Sequence, residues 1–526
     1  MTPDDAALAA LIEQHLPEFD KPGVLSIRPV YQIKNDWLTG ERAIVVTVRR
    51  KAAQPAGDEL PIEVAGVPVD VRQASDRKRL EIEDPQAYAA ELRLAPNTGS
   101  VPHFAAEQTL GGERPAAAAS AHAQLAAAVP KPALPYSSPL GLTLAPIAAP
   151  ATIQLSASPD AGWTVLKAFL AGTTSSLTVG LYDFTSAHVL AAVTDSLAGK
   201  RFELVLDHPP KNPTADQTDE ETVTDLTKAL GDGMIQAWAL TRTDRLATAW
   251  IYPTAYHIKV AVRDGSSVWL SSGNWNNSNQ PDIDPVANPA AATEARHRDR
   301  DWHVVIDSPQ VAQVFEAYLR NDRTVADAHN ATTPPAGPPL TPAPLGSTQT
   351  PVFQKFFPAD TVTGTMTIVP LLTPDPGVYV NAVKALITSA TKTLYMQFQY
   401  IELPKQADPT AQPFIDLVQA VVDRQHAGVD VRIIMSEFET SGYLEQLQSA
   451  GLDVVHHVKL QNNVHNKGIV VDGAAVLVSS QNWSTDGTLR NRDAGVIIHD
   501  PAAAQYFQEI FLHDWAHLAR QKAQAD

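Results

Sequence analysis

The sequence of 526 residues contains no cysteine. This absence excludes disulfide bonds, thiolate nucleophiles and every zinc or iron–sulfur site that depends on cysteine ligands. Long apolar runs are also missing, since none approaches the ~18 residues that indicate a membrane-spanning helix. Residues 1–16 are acidic and mixed, without the basic segment and sustained apolar stretch of a secretory signal. We therefore expect a cytoplasmic protein with no membrane-spanning helix.

Positive charge is scarce, because 58 aspartates and glutamates outnumber 40 lysines and arginines and leave a formal net charge of −18. A surface of that sign repels polyanions at long range. The sequence also has no basic tail and no stretch in which basic and aromatic residues alternate. Both features argue against bulk nucleic acid as the main partner, although they leave a local basic groove open.

Two segments rich in proline or alanine divide the chain. Such a composition predicts extended connectors rather than packed cores. With these linkers as boundaries, we expect a small α+β accessory module at 1–95, an Ala/Pro-rich linker at 96–150, a first lobe at 151–328, a Pro-rich linker at 329–354 and a second lobe at 355–526.

A short motif occurs twice in the chain with a constant offset. The offset is 465 − 257 = 208 at the start of the motif and 483 − 275 = 208 at its end. The members are His257, Lys259, Asp264, Ser272, Asn274 and Trp275 in the first copy, and His465, Lys467, Asp472, Ser480, Asn482 and Trp483 in the second. Because chance does not keep so many residues in register, the pattern indicates an internal repeat.

Strand and helix patterns alternate in both copies, which predicts an α/β sandwich with a mixed sheet. Each His-x-Lys segment alternates like a strand, so the histidine and the lysine would point to the same face. A later element, Arg300-Asp301 in the first copy and Arg492-Asp493 in the second, has an offset of 493 − 301 = 192. The first copy has therefore gained 208 − 192 = 16 residues, which we expect to form a loop at the rim of the site.

The repeated side chains suit the cleavage of a phosphodiester. That reaction needs a nucleophile, a proton for the leaving oxygen and positive charge near the non-bridging oxygens. One neutral histidine would attack phosphorus and form a phosphohistidine, while the other, protonated, would donate to the leaving alcohol and later deprotonate water. Lys259 and Lys467 would neutralise the phosphate oxygens. This set needs no metal or other cofactor, and we expect none.

Hydrogen bonds would complete the site. Four residues are expected to bind the phosphate oxygens: Asn274, Asn482, Ser272 and Ser480. Asp301 and Asp493 would each accept a proton from the second ring nitrogen of a histidine and so fix its tautomer. We expect each histidine to be braced by its own lysine and its own aspartate.

Two pairs of residues near the motif have two interpretations. Trp275 and Trp483 are candidates for substrate contact, but an aromatic residue after a strand more often belongs to the core. Arg300 and Arg492 fit either contact with an anionic substrate or a solvated rim.

The pattern of His-x-Lys, then Asp after four residues, then Ser-x-Asn resembles the phospholipase D superfamily in its two-copy form. The resemblance implies two pseudo-twofold-related α/β/α sandwich lobes with mixed sheets and one active site between them. It also implies His257 as the nucleophile, His465 as the acid, and a structural part for Asp264 and Asp472.

We therefore expect a metal-independent phosphodiesterase of the phospholipase D type, which hydrolyses a phospholipid or transfers it to an alcohol. Two alternatives stay open: a nuclease of the same superfamily, and a non-catalytic scaffold that retains the fold. A lipid substrate would bring peripheral membrane contact, and the N-terminal module is a candidate for binding a protein partner. Because one chain carries both copies, a monomer suffices for the active site.

Overall fold

The computed structural model describes residues 5–19, 21, 24–34, 37–49, 60–73, 136–139, 141–142, 144–207, 215–242, 248–250, 255–329, 355–404, 408–436 and 443–521. The chain divides into two compact units, Met1–Thr98 with Arg520–Asp526, and Gly99–Ala519. Most of the two predicted linkers lies outside the described residues. None of the described helices is both long and apolar enough to cross a lipid bilayer.

The N-terminal unit is a small α+β module, as the sequence predicts. Two helices precede a four-stranded sheet with the order β1-β2-β4-β3. The elements are α1 (Asp5–Gln14), α2 (Leu16–Phe19), β1 (Val24–Lys34), β2 (Trp37–Val48), β3 (Glu63–Val64) and β4 (Val67–Gln73). Leu8 and Phe19 of the helices are buried against Ile44 and Val46 of β2. This apolar contact joins the helical layer to the sheet.

The larger unit contains both copies of the repeat. The first copy contributes β5 (Ile147–Ser158), β6 (Ser176–Leu181), β7 (Arg201–Leu206), β8 (Met234–Trp238), β9 (Leu240–Arg242), β10 (Thr248–Trp250), β11 (Lys259–Arg263), β12 (Ser267–Ser271) and β13 (Asp301–Asp307). The second contributes β14 (Asp360–Thr373), β15 (Thr393–Phe398), β16 (Asp430–Ser436), β17 (Val458–Gln461), β18 (Lys467–Val471), β19 (Ala475–Ser479) and β20 (Asp493–His499). Strands β9 and β10 pair only with each other among the described residues.

The other fourteen strands of this unit form one sheet in the described part of the chain, in the order β17-β16-β15-β18-β19-β20-β14-β5-β13-β12-β11-β6-β7-β8. Read outward from the β14–β5 junction, the two halves repeat the same order of equivalent strands. The three outer strands of each half are parallel and the others antiparallel, so the sheet is mixed, as predicted. The antiparallel junction runs from Asp360 opposite Leu155 to Ile368 opposite Ile147.

This junction explains one difference from the sequence prediction. Strand β5 begins at Ile147, inside the segment predicted as a linker at 96–150, because its first residues pair with β14 of the other copy. Sequence periodicity describes one copy at a time, and it contains no signal for a strand that extends to reach its counterpart. The other domain boundaries remain predictions.

Helices cover both faces of the sheet. The first copy supplies α3 (Gly162–Ala171), α4 (Ala187–Leu197), α5 (Asp219–Leu230), α6 (Ala292–Ala295) and α7 (Pro309–His329). The second supplies α8 (Val378–Thr388), α9 (Gln412–His426), α10 (Tyr443–Ser449), α11 (Val454–His457), α12 (Thr485–Leu489) and α13 (Pro501–His517). Adjacent strand residues alternate between faces. Val260 and Val262 therefore face the core that α7 and α13 share, whereas Ala261 faces the core of α3 and α4.

Candidate active site

The two halves meet through reciprocal backbone hydrogen bonds next to the motif histidines. The N–H of His257 donates to the carbonyl of Arg492 (2.8 Å), and the N–H of Arg492 donates to the carbonyl of Ala255 (2.9 Å). The second copy repeats this pattern. The N–H of His465 donates to the carbonyl of Arg300 (3.1 Å), whose own N–H donates to the carbonyl of Asn463 (2.8 Å).

These bonds correct the prediction that the histidines lie within strands. Strands β11 and β18 begin at Lys259 and Lys467, so both histidines precede the ladder. Their backbone instead follows the segment that leads into the last strand of the opposite copy. This arrangement brings each histidine next to the aspartate that opens that strand.

Each histidine is therefore paired with the carboxylate of the other copy. His257 Nδ1 lies 2.9 Å from Asp493 Oδ1, and His465 Nδ1 lies 2.9 Å from Asp301 Oδ1. The sequence predicts aspartate–histidine pairs, and the structure shows that each pair joins the two copies. An Nδ1–H that donates to a carboxylate leaves Nε2 as the reactive nitrogen.

The two lysines lie directly beside the histidines and are fully buried. Lys259 Nζ donates to the carbonyl of His257, and Lys467 Nζ donates to that of His465. Lys467 Nζ also lies 3.2 Å from both ring nitrogens of His465. Burial lowers the pKa of Lys259 to about 7, and the carboxylate of Asp493 opposes that shift. Lys467 lowers the same pKa, so the two ammonium groups act within one site.

Ser272 and Ser480 brace the aspartates and do not face a substrate. Ser272 Oγ donates to Asp301 Oδ1 and Ser480 Oγ donates to Asp493 Oδ1, both at 2.6 Å. Each hydroxyl also accepts a backbone N–H, from Trp302 (3.1 Å) in one case and from Ala494 (3.0 Å) in the other. The predicted substrate-binding role is wrong because both buried hydroxyls are fully engaged within the protein.

The structure places Trp275 and Trp483 in the hydrophobic core, so their assignment to substrate binding is also wrong. Trp275 packs edge-to-face against Phe184, with ring centres 5.0 Å apart, and is fully buried. Trp483 is buried in the core of the second copy and its Nε1–H donates to the hydroxyl of Tyr379 (3.1 Å). Both large rings serve packing, since the two residues follow β12 and β19 and form isolated backbone bridges with Phe184 and Ile401.

Asn274 and Asn482 remain candidates for binding substrate. The two residues are 6 % and 5 % exposed, respectively. Their Oδ1 atoms are buried and have no hydrogen-bond partner among the described residues. Buried amide oxygens in proteins are normally paired. The free Oδ1 atoms can accept a hydrogen bond from a hydroxyl group of a ligand, whereas only the Nδ2–H groups can donate to phosphate oxygens.

Asp264 and Asp472 hold hairpin turns away from the reacting groups. Both residues have φ of 53°, a left-handed conformation that aspartate tolerates in turns. Their carboxylates accept backbone N–H groups at 2.7–2.9 Å, from Thr174, Ser175 and Ser176 in the first copy and from Thr391, Lys392 and Thr393 in the second. Burial opposes the shift, but these bonds lower the pKa of both carboxyls.

The electrostatics of the two histidine–aspartate pairs differ. Burial would raise the pKa of Asp301, but His465 and Lys467 outweigh it and hold that pKa below its ordinary value. Burial raises the pKa of Asp493 to about 7, with Lys259 opposing the shift. Burial and Lys467 lower the pKa of His465 to about 4, so this imidazole is neutral at neutral pH in the free protein.

Arg300 and Arg492 anchor the crossing segments, contrary to both sequence interpretations. Arg300 is buried, with Nη1 2.7 Å from Asp160 and Nε 2.9 Å from Asp514 of the other copy. Arg492 is buried with Nη2 3.0 Å from Asp322, which also belongs to the opposite copy. The sequence contains a signal for this network, because 514 − 322 and 492 − 300 both equal 192.

Two further residues were missed at the sequence level. Tyr182 follows β6, and its half-buried ring lies edge-on to His257 at 4.9 Å and 5.4 Å from Lys259 Nζ. Asn279 is buried and donates from Nδ2 to Asp301 Oδ2 (2.9 Å). Neither residue has the same type at the equivalent place in the second copy, so the repeat gave no signal for them. Among the described residues, no group of three His, Asp or Glu side chains is arranged to hold a metal.

Comparison with known proteins finds similarity over part of the chain. Residues 383–515 match a family model described as "Cardiolipin synthase, PLD-like domain". The mitochondrial cardiolipin hydrolase of Xenopus tropicalis is 34% identical over 102 residues, which are 19% of this chain and 48% of that protein. That of Danio rerio is 26% identical over 104 residues, 19% of this chain and 46% of its own length. The chain thus spans about half the length of the curated relatives it matches.

Among solved structures, the phosphatidylserine synthase of Haemophilus influenzae Rd KW20 aligns with 12% identity and a TM-score of 0.47, over 70% of this chain and 86% of that chain. The matched family segment contains the whole second copy of the motif, from His465 to Asp493. The first copy repeats that motif and the order of its strands, and supplies the partner of each histidine–aspartate pair. The second copy is thus similar to a PLD-like domain, and the first copy repeats its motif and strand order.

Proposed function

We propose that this protein is a metal-independent phosphodiesterase that hydrolyses a phospholipid, or transfers it to an alcohol, through a covalent phosphohistidine. The observation that carries the proposal is the pair of crossed histidine–aspartate contacts, each with a lysine ammonium beside the imidazole. These groups can supply a nucleophile, an acid and positive charge to one phosphate group. Their chemistry is complete without a Lewis acid.

In the first step, His257 Nε2 attacks phosphorus while its Nδ1–H is held by Asp493. The resemblance to the family favours His257 for this role. A P–N bond forms, the P–O bond to the leaving alcohol breaks, and the leaving oxygen takes a proton from His465. In the second step, His465 removes a proton from water or an acceptor alcohol, which attacks phosphorus and breaks the P–N bond.

Substrate binding prepares His465 for this role. The imidazole is neutral in the free protein because burial and Lys467 lower its pKa to about 4. A bound phosphodiester brings negative charge between the two lysines, which raises the proton affinity of the neighbouring imidazole. Lys259 and Lys467 then stabilise the charge that develops on the non-bridging oxygens. Asn274 and Asn482 direct their amide groups to the same oxygens.

A lipid is favoured over nucleic acid as the substrate. The net charge of −18 opposes binding of a long polyanion. Sequence relatives that match about a fifth of the chain are cardiolipin hydrolases by name. A lipid substrate also implies peripheral contact with a membrane surface. We further propose that the N-terminal module binds a protein partner, as a separate function from catalysis.

The direct test supplies vesicles of phosphatidylcholine, vesicles of cardiolipin, single-stranded DNA and duplex DNA in separate reactions that contain EDTA. We expect a phospholipid to be consumed, and His257→Ala and His465→Ala to abolish its consumption. His456→Ala is the matched control, because His456 is an exposed histidine bonded to Asp453 (2.6 Å). Consumption of DNA alone would identify a nuclease. A wild-type protein with no turnover and no phosphohistidine would be a scaffold.

A further inference from the structure

The turn that follows the motif has the same backbone geometry in both copies but a different side chain at its end. Asn276 Oδ1 accepts the N–H of Asn279 (2.9 Å), and Ser484 Oγ accepts the N–H of Gly487 (3.1 Å). The offset is 208 for both pairs, 484 − 276 and 487 − 279. Asn279 and Gly487 are therefore equivalent positions.

The amide of Asn279 is fully engaged around the carboxylate of Asp301. Its Nδ2 donates to Asp301 Oδ2 (2.9 Å) and to Asp299 Oδ2 (2.8 Å). Its Oδ1 accepts the backbone N–H of Asn274 (3.0 Å). Asn279 is 1% exposed, so this buried amide meets the protein and not the solvent. It links the aspartate of one dyad to the backbone of a candidate phosphate-binding residue.

Gly487 gives Asp493 no such support. A Cβ at this position would lie 2.1 Å from the carbonyl oxygen of Asn482, so no side chain fits there. The side chain of Asn491, outside this turn, hydrogen-bonds to Asp493 instead. The serine bonds of 2.6 Å and the histidine bonds of 2.9 Å are the same in both dyads. The residue at position 279 or 487 is thus a specific difference between them.

We propose that Asn279 is a positioning residue that makes the two dyads unequal and commits the His465–Asp301 pair to proton transfer. This inference rests on the function proposed above. A carboxylate held by serine, asparagine and imidazole donors keeps one orientation and stays ionised. It therefore leaves the Nδ1 proton on His465, so that Nε2 can release and recover a proton. The lower pKa of Asp301 and the raised pKa of Asp493 agree with this division.

The test compares Asn279→Ala, and Asn279→Gly as a copy of position 487, with Asn277→Ala. Asn277 is the matched control, because it lies in the same turn and donates its amide to Asp216 (2.8 Å) at an exposed site. Removing the amide from Asp301 makes that carboxylate easier to protonate. We expect kcat to fall about 10- to 100-fold for an unactivated phosphodiester. KM should change little, and the acid limb of the kcat–pH profile should move to higher pH.

Leaving-group dependence separates positioning from loss of structure. An aryl ester whose leaving group needs no proton should form phosphohistidine at nearly the wild-type rate in Asn279→Ala. The phosphoenzyme should then accumulate, because its breakdown still requires His465. Equal slowing of both esters with an unchanged pH profile, or wild-type kinetics in both Asn279 variants, would overturn the proposal.

A measurement without turnover distinguishes this proposal from the proposed function. The imidazole titrations of His257 and His465 can be followed by NMR in the wild-type protein and in Asn279→Ala. We expect the His465–Asp301 pair to titrate at higher pH in the variant, and His257 and the Asn277→Ala protein to be unchanged. An unaltered His465 titration contradicts positioning by Asn279 even if the wild-type protein cleaves lipid. Inactive wild-type protein with a shifted His465 titration would refute the function alone.

Discussion

Tyr182 and Gln399 occupy the same place in the two copies, directly after β6 and β15, so a phenol in the first copy has an amide as its counterpart in the second. Asn279 and Gly487 are also equivalent positions with different residues. Asn279 contacts Asp301, whereas Gly487 has no side chain. The elements that hold the halves together are instead repeated in both copies. The serine–aspartate bonds are 2.6 Å in each, and the arginine–aspartate contacts cross in both directions.

This contrast separates the contacts that hold the two copies together from the residues that would act on a substrate. Reciprocal contacts join the two copies at the segments that carry the two histidines, and under the proposed function one phosphate group would bind between them. A phosphodiester, however, has two unlike ester arms, and only one of them leaves. Under the proposed function, the positions at which the two copies carry different residues would allow the protein to distinguish the two ester arms. They would also give the two histidines different roles. The following experiments test that division, from the largest expected effect to the smallest.

Removal of the histidines should have the largest effect on activity. We expect His257→Ala to lower kcat by about 10⁵-fold or more and to abolish labelled phosphohistidine. His465→Ala should be equally inactive on lipid but should still form phosphohistidine slowly from an activated aryl ester, because that leaving group needs no acid. Single-turnover labelling followed by acid-sensitive release measures this. Label that persists in His257→Ala and disappears in His465→Ala would exchange the two roles.

Neutral replacements of the aspartates should have unequal effects that depend on pH. Asp301 has a pKa below its ordinary value, so Asp301→Asn removes a charge throughout the neutral range and should lower kcat by about 10³-fold. Burial raises the pKa of Asp493 to about 7, so this carboxyl is mostly protonated below pH 7 and ionised above it. Asp493→Asn should therefore be well tolerated below pH 7 and lose activity as the pH rises. Parallel kcat–pH profiles for the two variants would show equivalent dyads.

The arginine contacts should affect folding rather than chemistry. Asp514→Asn leaves the buried guanidinium of Arg300 with one carboxylate fewer, and we expect the free energy of unfolding to fall by about 3 kcal/mol. Arg300→Met combined with Asp514→Leu should cost less than the sum of the single changes, because it removes both charges together. Urea unfolding of the four proteins measures this coupling. Additive losses would mean that the two side chains stabilise the crossing independently.

Much of the site was readable from the sequence because the motif is doubled. The constant offset identified both histidines, both lysines and the two aspartates, and the alternation of strands and helices predicted the mixed sheet. The offset could not show whether each histidine pairs with the aspartate of its own copy or with that of the other copy. His257 is equivalent to His465 and Asp301 to Asp493, and this equivalence holds equally well for own-copy and crossed pairs. The backbone bonds at Arg300 and Arg492 and the crossed histidine–aspartate contacts distinguish the two arrangements.

The errors have a common physical origin. Ser272 and Trp275 lie within a motif that points to chemistry, yet the hydroxyl is used by Asp301 and the indole by the core. Sequence proximity to reactive groups cannot distinguish a side chain that meets the substrate from one that supports its neighbour. Asn279 was missed for the opposite reason. A residue present in one copy and replaced by glycine in the other looks like variation when a repeat is the only guide.

The smallest expected effect concerns Tyr182, which differs from its counterpart in the second copy. Its ring lies edge-on to His257 at 4.9 Å and 5.4 Å from the ammonium of Lys259, so it limits the orientation of both. Burial raises the pKa of Tyr182 well above its ordinary value, so the hydroxyl stays protonated and cannot serve as a base. Ring contacts of this kind contribute about 1 kcal/mol.

We therefore expect Tyr182→Ala to lower kcat by about 10-fold, Tyr182→Phe to change it by less than about 3-fold, and Gln399→Ala to serve as the control in the second copy. Steady-state kinetics on one phospholipid measures all three. A large loss in Tyr182→Phe would assign the hydroxyl, and not the ring, to the substrate. Equal losses in Tyr182→Ala and Gln399→Ala would mean that the two positions are equivalent despite their different residues, and that the asymmetry resides at Asn279 and Gly487.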